Sequence, residues 1–282
     1  MQFISLTNTS EKDILDVFNL SFSDYFVPLK LTAEQLSAKI KADNVDLDLS
    51  VGVMNDGQLV AFILHGSNVI DGRKTLYNGG TGVIPTQRGE ALTKRMYEFI
   101  LPKIKKKKVD TLILEVISKN IPAIKSYERV GYSKVRGLLC YRGEVKPLTI
   151  NRALEIRKLD RYDWEVFESF WDIRPTAQNS KRAINKLTSD LVLLGGFLEN
   201  QLVGYLVFNP KTKRLSQIAI HKNFRRKKIA SSLIQHIINE HRDALTVINV
   251  DKGDQPINDF FENISFEMFL EQWEMQMEVS GN

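Results

Sequence analysis

Apolar positions along the chain switch between short alternating runs and stretches spaced three and four apart, and the order of these switches occurs twice. In the first half, alternation predicts a strand over residues 2–7, and helical spacing predicts helices over 12–26 and 32–42. Apolar runs at 49–54 and 59–65 flank Asn55-Asp56-Gly57, whose residue types favour the positive φ angles of a tight hairpin turn. A run at 75–84 then leads into a helix from Gly89 to about Ile104, a strand over 111–116 and a short helix over 121–130. Gly131 ends that helix where a left-handed cap is needed.

The second half repeats the order: a strand over 153–159, helices from Tyr162 and Ser180, and apolar runs at 191–198 and 202–208 around Glu199-Asn200-Gln201. A run at 215–220, a helix over about 227–240, a strand over 245–250 and a short helix over 257–263 follow. The stretch from Phe266, alternating over 269–278, reads as a closing strand. Superposing the halves sets Arg88 against Arg225, Glu115 against Asn249, Tyr127 against Phe261 and Gly131 against Ser265, at offsets of 134 to 137 residues. Offsets this steady predict a duplicated domain, over 1–146 and 147–282, joined near Val145-Lys146-Pro147.

With 43% hydrophobic residues, 282 residues suffice for two ordinary cores. No apolar run nears the roughly 18 residues that span a bilayer, and no signal-peptide pattern opens the chain, so a cytoplasmic protein with no membrane partner is expected. Cys140 is the single cysteine, which excludes an intrachain disulfide and a cysteine-based metal site; its apolar neighbours predict a packing role. The histidines lack metal-site spacing, and no metal is expected. The net charge of +5 is modest and its densest run, Lys103 to Lys108, follows a helical pattern ending near Pro102. Cations there complement a helix C-terminus, and with no aromatic residues interleaved they predict no nucleic-acid partner.

Both halves carry a strand, a basic turn and a helix start: Gly82-Val83-Ile84-Pro85-Thr86-Gln87-Arg88-Gly89-Glu90-Ala91-Leu92-Thr93, and Ala219-Ile220-His221-Lys222-Asn223-Phe224-Arg225-Arg226-Lys227-Lys228-Ile229-Ala230. A helix start offers unpaired N–H groups and the positive end of a dipole, so each turn is a candidate phosphate cradle.

These residues resemble the GNAT superfamily of acetyl-CoA-dependent N-acetyltransferases. Its R/Q-x-x-G-x-G/A turn, led by V-x-P-x-x, is similar to Val83-Ile84-Pro85-Thr86-Gln87-Arg88, and its N…A…Y-E-x-x-G-F/Y segment to Asn120, Ala123 and Tyr127-Glu128-Arg129-Val130-Gly131-Tyr132. The glycine pattern departs in both copies, with Ala91 and Thr93 in the first and Lys228 at the central glycine of the second, where Arg225 and the small Ala230 are kept. Only proline would remove an N–H donor, but each Cβ pushes a pyrophosphate outward.

The resemblance implies two tandem α/β domains, each a mixed, mostly antiparallel sheet flanked by helices, and acetyl transfer from acetyl-CoA to an amine of a small molecule or peptide by direct attack in a ternary complex. It implies a gap between the fourth and fifth strands for the pantetheine arm, with Val83 or Gly82 giving the amide that polarises the thioester. Asn120 would bond the pantetheine amides, the turn from Arg88 to Thr93 would hold the pyrophosphate, and Tyr127 would protonate the thiolate. Glu115 is a candidate base or substrate anchor, and Asp24 and Tyr25 fall where the family places its acceptor loop. The second-half counterparts Asp254 and Phe261 are less suited to those roles, so the first half is expected to be catalytic and the turn from Arg225 to Ala230 an altered second copy. Two other classes stay open: a CoA-binding or scaffold protein without catalysis, and a transferase of tandem fold that uses aminoacyl-tRNA.

Overall fold

The structure is a computed structural model that describes residues 1–70, 72–144, 146–241 and 244–279. Its elements follow the order β1 (Gln2–Ser5), α1 (Glu11–Ser21), α2 (Ala33–Asp43), β2 (Val51–Asn55), β3 (Gln58–Ile70), β4 (Arg73–Val83), α3 (Leu92–Lys106), β5 (Thr111–Ile117), α4 (Ile121–Val130) and β6 (Ser133–Gly143). The repeat continues as β7 (Glu155–Lys158), α5 (Trp164–Ser169), α6 (Lys181–Lys186), β8 (Val192–Leu198), β9 (Gln201–Asn209), β10 (Arg214–Ile220), α7 (Ile229–His241), β11 (Leu245–Asp251), α8 (Gln255–Asn263) and β12 (Phe266–Glu278).

The chain forms two compact units, residues 1–135 with 273–282, and residues 136–272. These differ from the halves 1–146 and 147–282. The reason is in the cores: Met275, Met277 and Val279 are buried among the side chains of the first unit, and Tyr141 among those of the second. Each unit thus takes its last strand from the other half of the sequence. In the first unit the Val279 amide donates to the Asp110 carbonyl at 2.9 Å, and Glu278 pairs with Arg73. In the second, residues 138–143 of β6 pair antiparallel with β11. Of the expected linker, Val145 lies outside the described residues.

In the first unit β1, β2, β3 and β4 pair antiparallel in sequence and β5 joins β4 in parallel. The second unit has the same plan with β7 to β11. Helices cover both faces: α3 and α4 pack over one apolar cluster and α1 and α2 over another, and α7 and α8 against α5 and α6 do the same in the second unit. The hairpin expected at residues 55–57 is present with φ of 48° at Asp56 and 77° at Gly57. Its counterpart takes the same left-handed pair at Glu199 and Asn200, with φ of 50° and 64°.

Side-chain caps set most helix starts. Thr32 and Gln35 form a capping box on α2, while Ser10, Asn120, Asp163, Ser180 and Asp254 accept from the amide three residues on. Two expected boundaries are corrected. The first helix ends at Ser21 rather than continuing to residue 26, where Arg88 donates to the freed Ser21 carbonyl at 2.9 Å and pairs with Asp24. Helix α3 passes through Pro102 to Lys106, where Lys103, Lys105 and Lys106 sit at its negative end. On β3, His65 is fully buried at a bulge with its Nδ1 2.8 Å from the Leu49 carbonyl, and burial lowers its pKa to about 4.

Candidate functional site

The two fourth-strand turns share one backbone. Gly89 and Ala91 take φ of 88° and 54°, and their counterparts Arg226 and Lys228 take 61° and 59°. Two left-handed residues flanking one ordinary residue turn successive amides toward a common concavity, which suits an anion. For Arg226 and Lys228 that conformation costs on the order of 1 kcal/mol each, so the geometry persists without glycine. The first intrahelical bonds are Arg95 N–H to the Ala91 carbonyl at 3.1 Å and Ser232 N–H to the Lys228 carbonyl at 3.0 Å. The amides of Leu92, Thr93 and Lys94, and of Ile229, Ala230 and Ser231, therefore precede the intrahelical ladder.

The arginine that opens each turn is a clamp. Arg88 donates to the Val83 carbonyl at 3.2 Å, to the Ser21 carbonyl at 2.9 Å and to both Asp24 carboxylate oxygens at 2.6 and 2.7 Å. Arg225 repeats this on the Ile220 carbonyl at 3.3 Å, the Phe170 carbonyl at 3.2 Å and Asp172 at 2.8 Å. Both guanidinium groups tie the turn to the end of the unit's first helix, so Arg88 and Asp24 are engaged with each other in this structure.

Both units also open a gap in the sheet. Strands β4 and β5 pair only from Thr75↔Thr111 to Asn78↔Leu114, and β10 and β11 only at Arg214↔Thr246 and Leu215↔Val247. The Ile84 amide donates to Val60 at 3.0 Å, and strand alternation then turns the Val83 amide toward the gap and the Gly82 amide toward β3. Of the two expected donors, Val83 has the right direction. Gly82 serves packing: a Cβ there would lie 2.4 Å from Phe62 and 2.8 Å from Ser21. By the same reasoning the His221 amide, bonded to Val203 at 2.9 Å, leaves the Ile218 and Ile220 amides facing the second gap.

The side chains beside the gaps differ. In the first unit the Tyr127 ring on α4 packs edge-on against Tyr132 with centroids 5.7 Å apart, and Asn78 donates to the Thr81 hydroxyl on β4 at 2.8 Å. Tyr127 is 8% exposed, and burial pushes its pKa up to about 12. Asn78 also donates to the Tyr97 hydroxyl at 2.9 Å, and the Tyr97 and Tyr132 hydroxyls bond at 2.9 Å, so Tyr127 packs through Tyr132 on a buried aromatic and amide network. Asn120 caps α4 through the Ala123 amide at 3.2 Å. Glu115 accepts from the Tyr77 hydroxyl at 2.6 Å.

In the second unit a cavity of about 720 Å³ lies between the diverging strands. It is lined by Ile218, Ala219 and Ile220 of β10, by Arg225, Arg226, Lys228, Ile229 and Ala230 of the turn, and by Trp171 to Pro175 beyond α5. Its wall also holds Asn249, in left-handed conformation with φ of 60° at a bulge in β11, and Asp254 and Phe261 of α8. Lys227 stays outside that lining, its ammonium over the Phe224 ring. The loop at 171–175 and Asp254 were not among the sequence candidates; aligning the second half on Phe22-Ser23-Asp24-Tyr25 would have pointed to the loop.

Both units of this doubled α/β chain thus have a parting strand pair and a turn with left-handed residues. The acetyltransferase (GNAT) family profile matches residues 14–132 and again 156–266, and the chain belongs to that family in tandem form. Its fold is similar to a GCN5-related N-acetyltransferase from Sphaerobacter thermophilus, at TM-score 0.76 and 15% identity over 99% of this chain and 96% of the other. A tandem GNAT protein of the clavulanic acid biosynthesis pathway gives 0.75 and 11% over 100% and 99%, and a GCN5-related N-acetyltransferase from Kribbella flavida 0.63 and 15% over 99% and 72%. Comparison with curated protein sequences gives no match. Among the described residues no helix is long and apolar enough to cross a membrane, and no group of ligating side chains could hold a metal ion.

Proposed function

We propose that the protein transfers an acetyl group from acetyl-CoA to a primary amine, and that the second unit holds the acetyl-CoA. The observation that carries this is the cavity of about 720 Å³, lined together by the turn at Arg226 and Lys228, by residues of β10 and β11 and by the loop at 171–175. The residues fit such a ligand: amides of Ile229 and Ala230 with basic Arg226 and Lys228 for the pyrophosphate, and apolar Ile218 and Ala219 for the pantetheine arm. The bound thioester supplies an activated acyl carbon. Ile220 contributes an amide directed into the gap, positioned for the carbonyl oxygen. The loop at 171–175, tied to the turn through Arg225 and Asp172, lines the same cavity and is where the amine would enter.

In the first unit Tyr127 is buried against the Tyr132 ring and Asn120 caps α4, which supports a structural role for those two side chains. This reading places acetyl-CoA in the second unit, where Tyr127 and Asn120 in the sequence imply the first. A second reading, a CoA-binding protein without transfer, draws on Phe261, which stands where a hydroxyl would serve the departing thiolate. Calorimetry with acetyl-CoA on the full chain and on Lys228→Glu tests the proposal. Binding to one site, lost at least tenfold in Lys228→Glu, is expected; equal binding by both proteins would move the ligand elsewhere.

A further inference from the structure

We propose that Asp254 receives the acceptor in the second unit, holding its ammonium group and taking its proton, an inference that rests on the reading of the cavity above. Asp254 lines the cavity at the start of α8, where its carboxylate accepts one long bond, 3.4 Å, from the Ile257 amide. The neighbouring acids are matched by cations: Asp172 by Arg225 at 2.8 Å and Lys222 at 3.9 Å, and Asp251 by Arg136 at 3.0 Å. Among the described residues no ion pair is made by Asp254. A carboxylate in a cavity without its own counter-ion, beside two others, favours a cationic ligand.

The first unit shows that the charge is not needed for the fold. Asn120 occupies the corresponding position and caps α4 by the same kind of bond, 3.2 Å to the Ala123 amide. Asparagine and aspartate cap equally well, so the difference between the copies is the charge, and it sits in the unit with the open cavity. The charged groups that act on Asp254 are Asp172, Asp251 and Arg225. Burial first, and then Asp172 and Asp251, raise its pKa, with the Ile257 amide and Arg225 opposing, which makes the carboxylate a stronger base than a solvated one.

Protons balance as follows. Asp254 takes one proton from the ammonium and returns it to solvent, and the freed nitrogen lone pair forms the new N–C bond as the C–S bond breaks with its electrons on sulfur. The second proton leaves the nitrogen for that thiolate, so the lack of a hydroxyl at Phe261 is no obstacle.

Asp254→Asn, with Asp254→Ser as a second capping variant, tests the assignment on the full chain. The probes are spermidine, glucosamine and a lysine-containing peptide, first by calorimetry without acetyl-CoA and then by thiol release with it. Wild type is expected to bind at least one amine, and both variants to bind it at least tenfold more weakly while keeping acetyl-CoA affinity within twofold. The variants should also lose the rise of kcat/KM with pH on the acid side. Variants that bind the amine and transfer like wild type overturn the assignment, as does a wild type that binds acetyl-CoA but none of the amines. A wild type that binds no acetyl-CoA overturns the reading of the cavity, and the assignment with it.

Discussion

Arg88 grips Asp24 through both terminal nitrogens, at 2.6 and 2.7 Å, and Arg225 holds Asp172 at 2.8 Å in the same place of the second unit. The exposed ion pairs contribute little, but each guanidinium also satisfies two main-chain carbonyls, so truncation to alanine should cost about 1–2 kcal/mol in the unit concerned. Because the second turn lines the cavity, Arg225→Ala should also weaken acetyl-CoA binding at least fivefold, whereas Arg88→Ala should leave it within twofold. Thermal melts and calorimetry on the two variants check both halves of this expectation.

Tyr127 separates the two units functionally. With the chemistry in the second unit, Tyr127→Phe keeps the ring packed against Tyr132 and changes neither acetyl-CoA affinity nor transfer rate. A tenfold fall in transfer with unchanged affinity would return the chemistry to the first unit.

His65 gives the first unit an acid limit. Its pKa is lowered by burial to about 4 from 6.5, so the unfolded chain binds the proton more readily than the folded one. Stability is unaffected above pH 6.5 and falls as pH drops through the window down to about 4, by about 3 kcal/mol in all. Melting curves at pH 7.5, 6 and 5 should show this fall, and His65→Asn should flatten it.

Met275 is fully buried in the first unit although it lies seven residues from the C-terminus. Met275→Ala should cost about 2–4 kcal/mol there, and ending the chain at Gln272 should unfold the first unit. Proteolysis that cuts the truncated chain first within residues 1–135 would agree; an intact first unit would not.

The repeat, the hairpins and the paired turns were legible because each rests on local patterning: alternation, helical spacing, and the order Val83-Ile84-Pro85 before a basic helix start. The left-handed residues of the second turn were hidden, because Arg226 and Lys228 give no sign of a conformation that glycine would have announced. Tyr127 and Asn120 are visible as residue types, yet the buried cluster of Tyr127, Tyr132, Tyr97 and Asn78 depends on contacts far apart in sequence. Asp254 looked like a poor copy of Asn120 for the same reason: its worth depends on a cavity that no single strand encodes.

The exchange of closing strands fixes an order of events during synthesis. The unit that begins at Met1 lacks Met275, Met277 and Val279 until the whole second unit has been made, a wait on the order of ten seconds at roughly 5–20 residues per second. The second unit, spanning residues 136–272, has all its parts before that moment. Translation therefore completes the cavity-bearing unit first, and the half of the protein that is born earlier reaches its native state last.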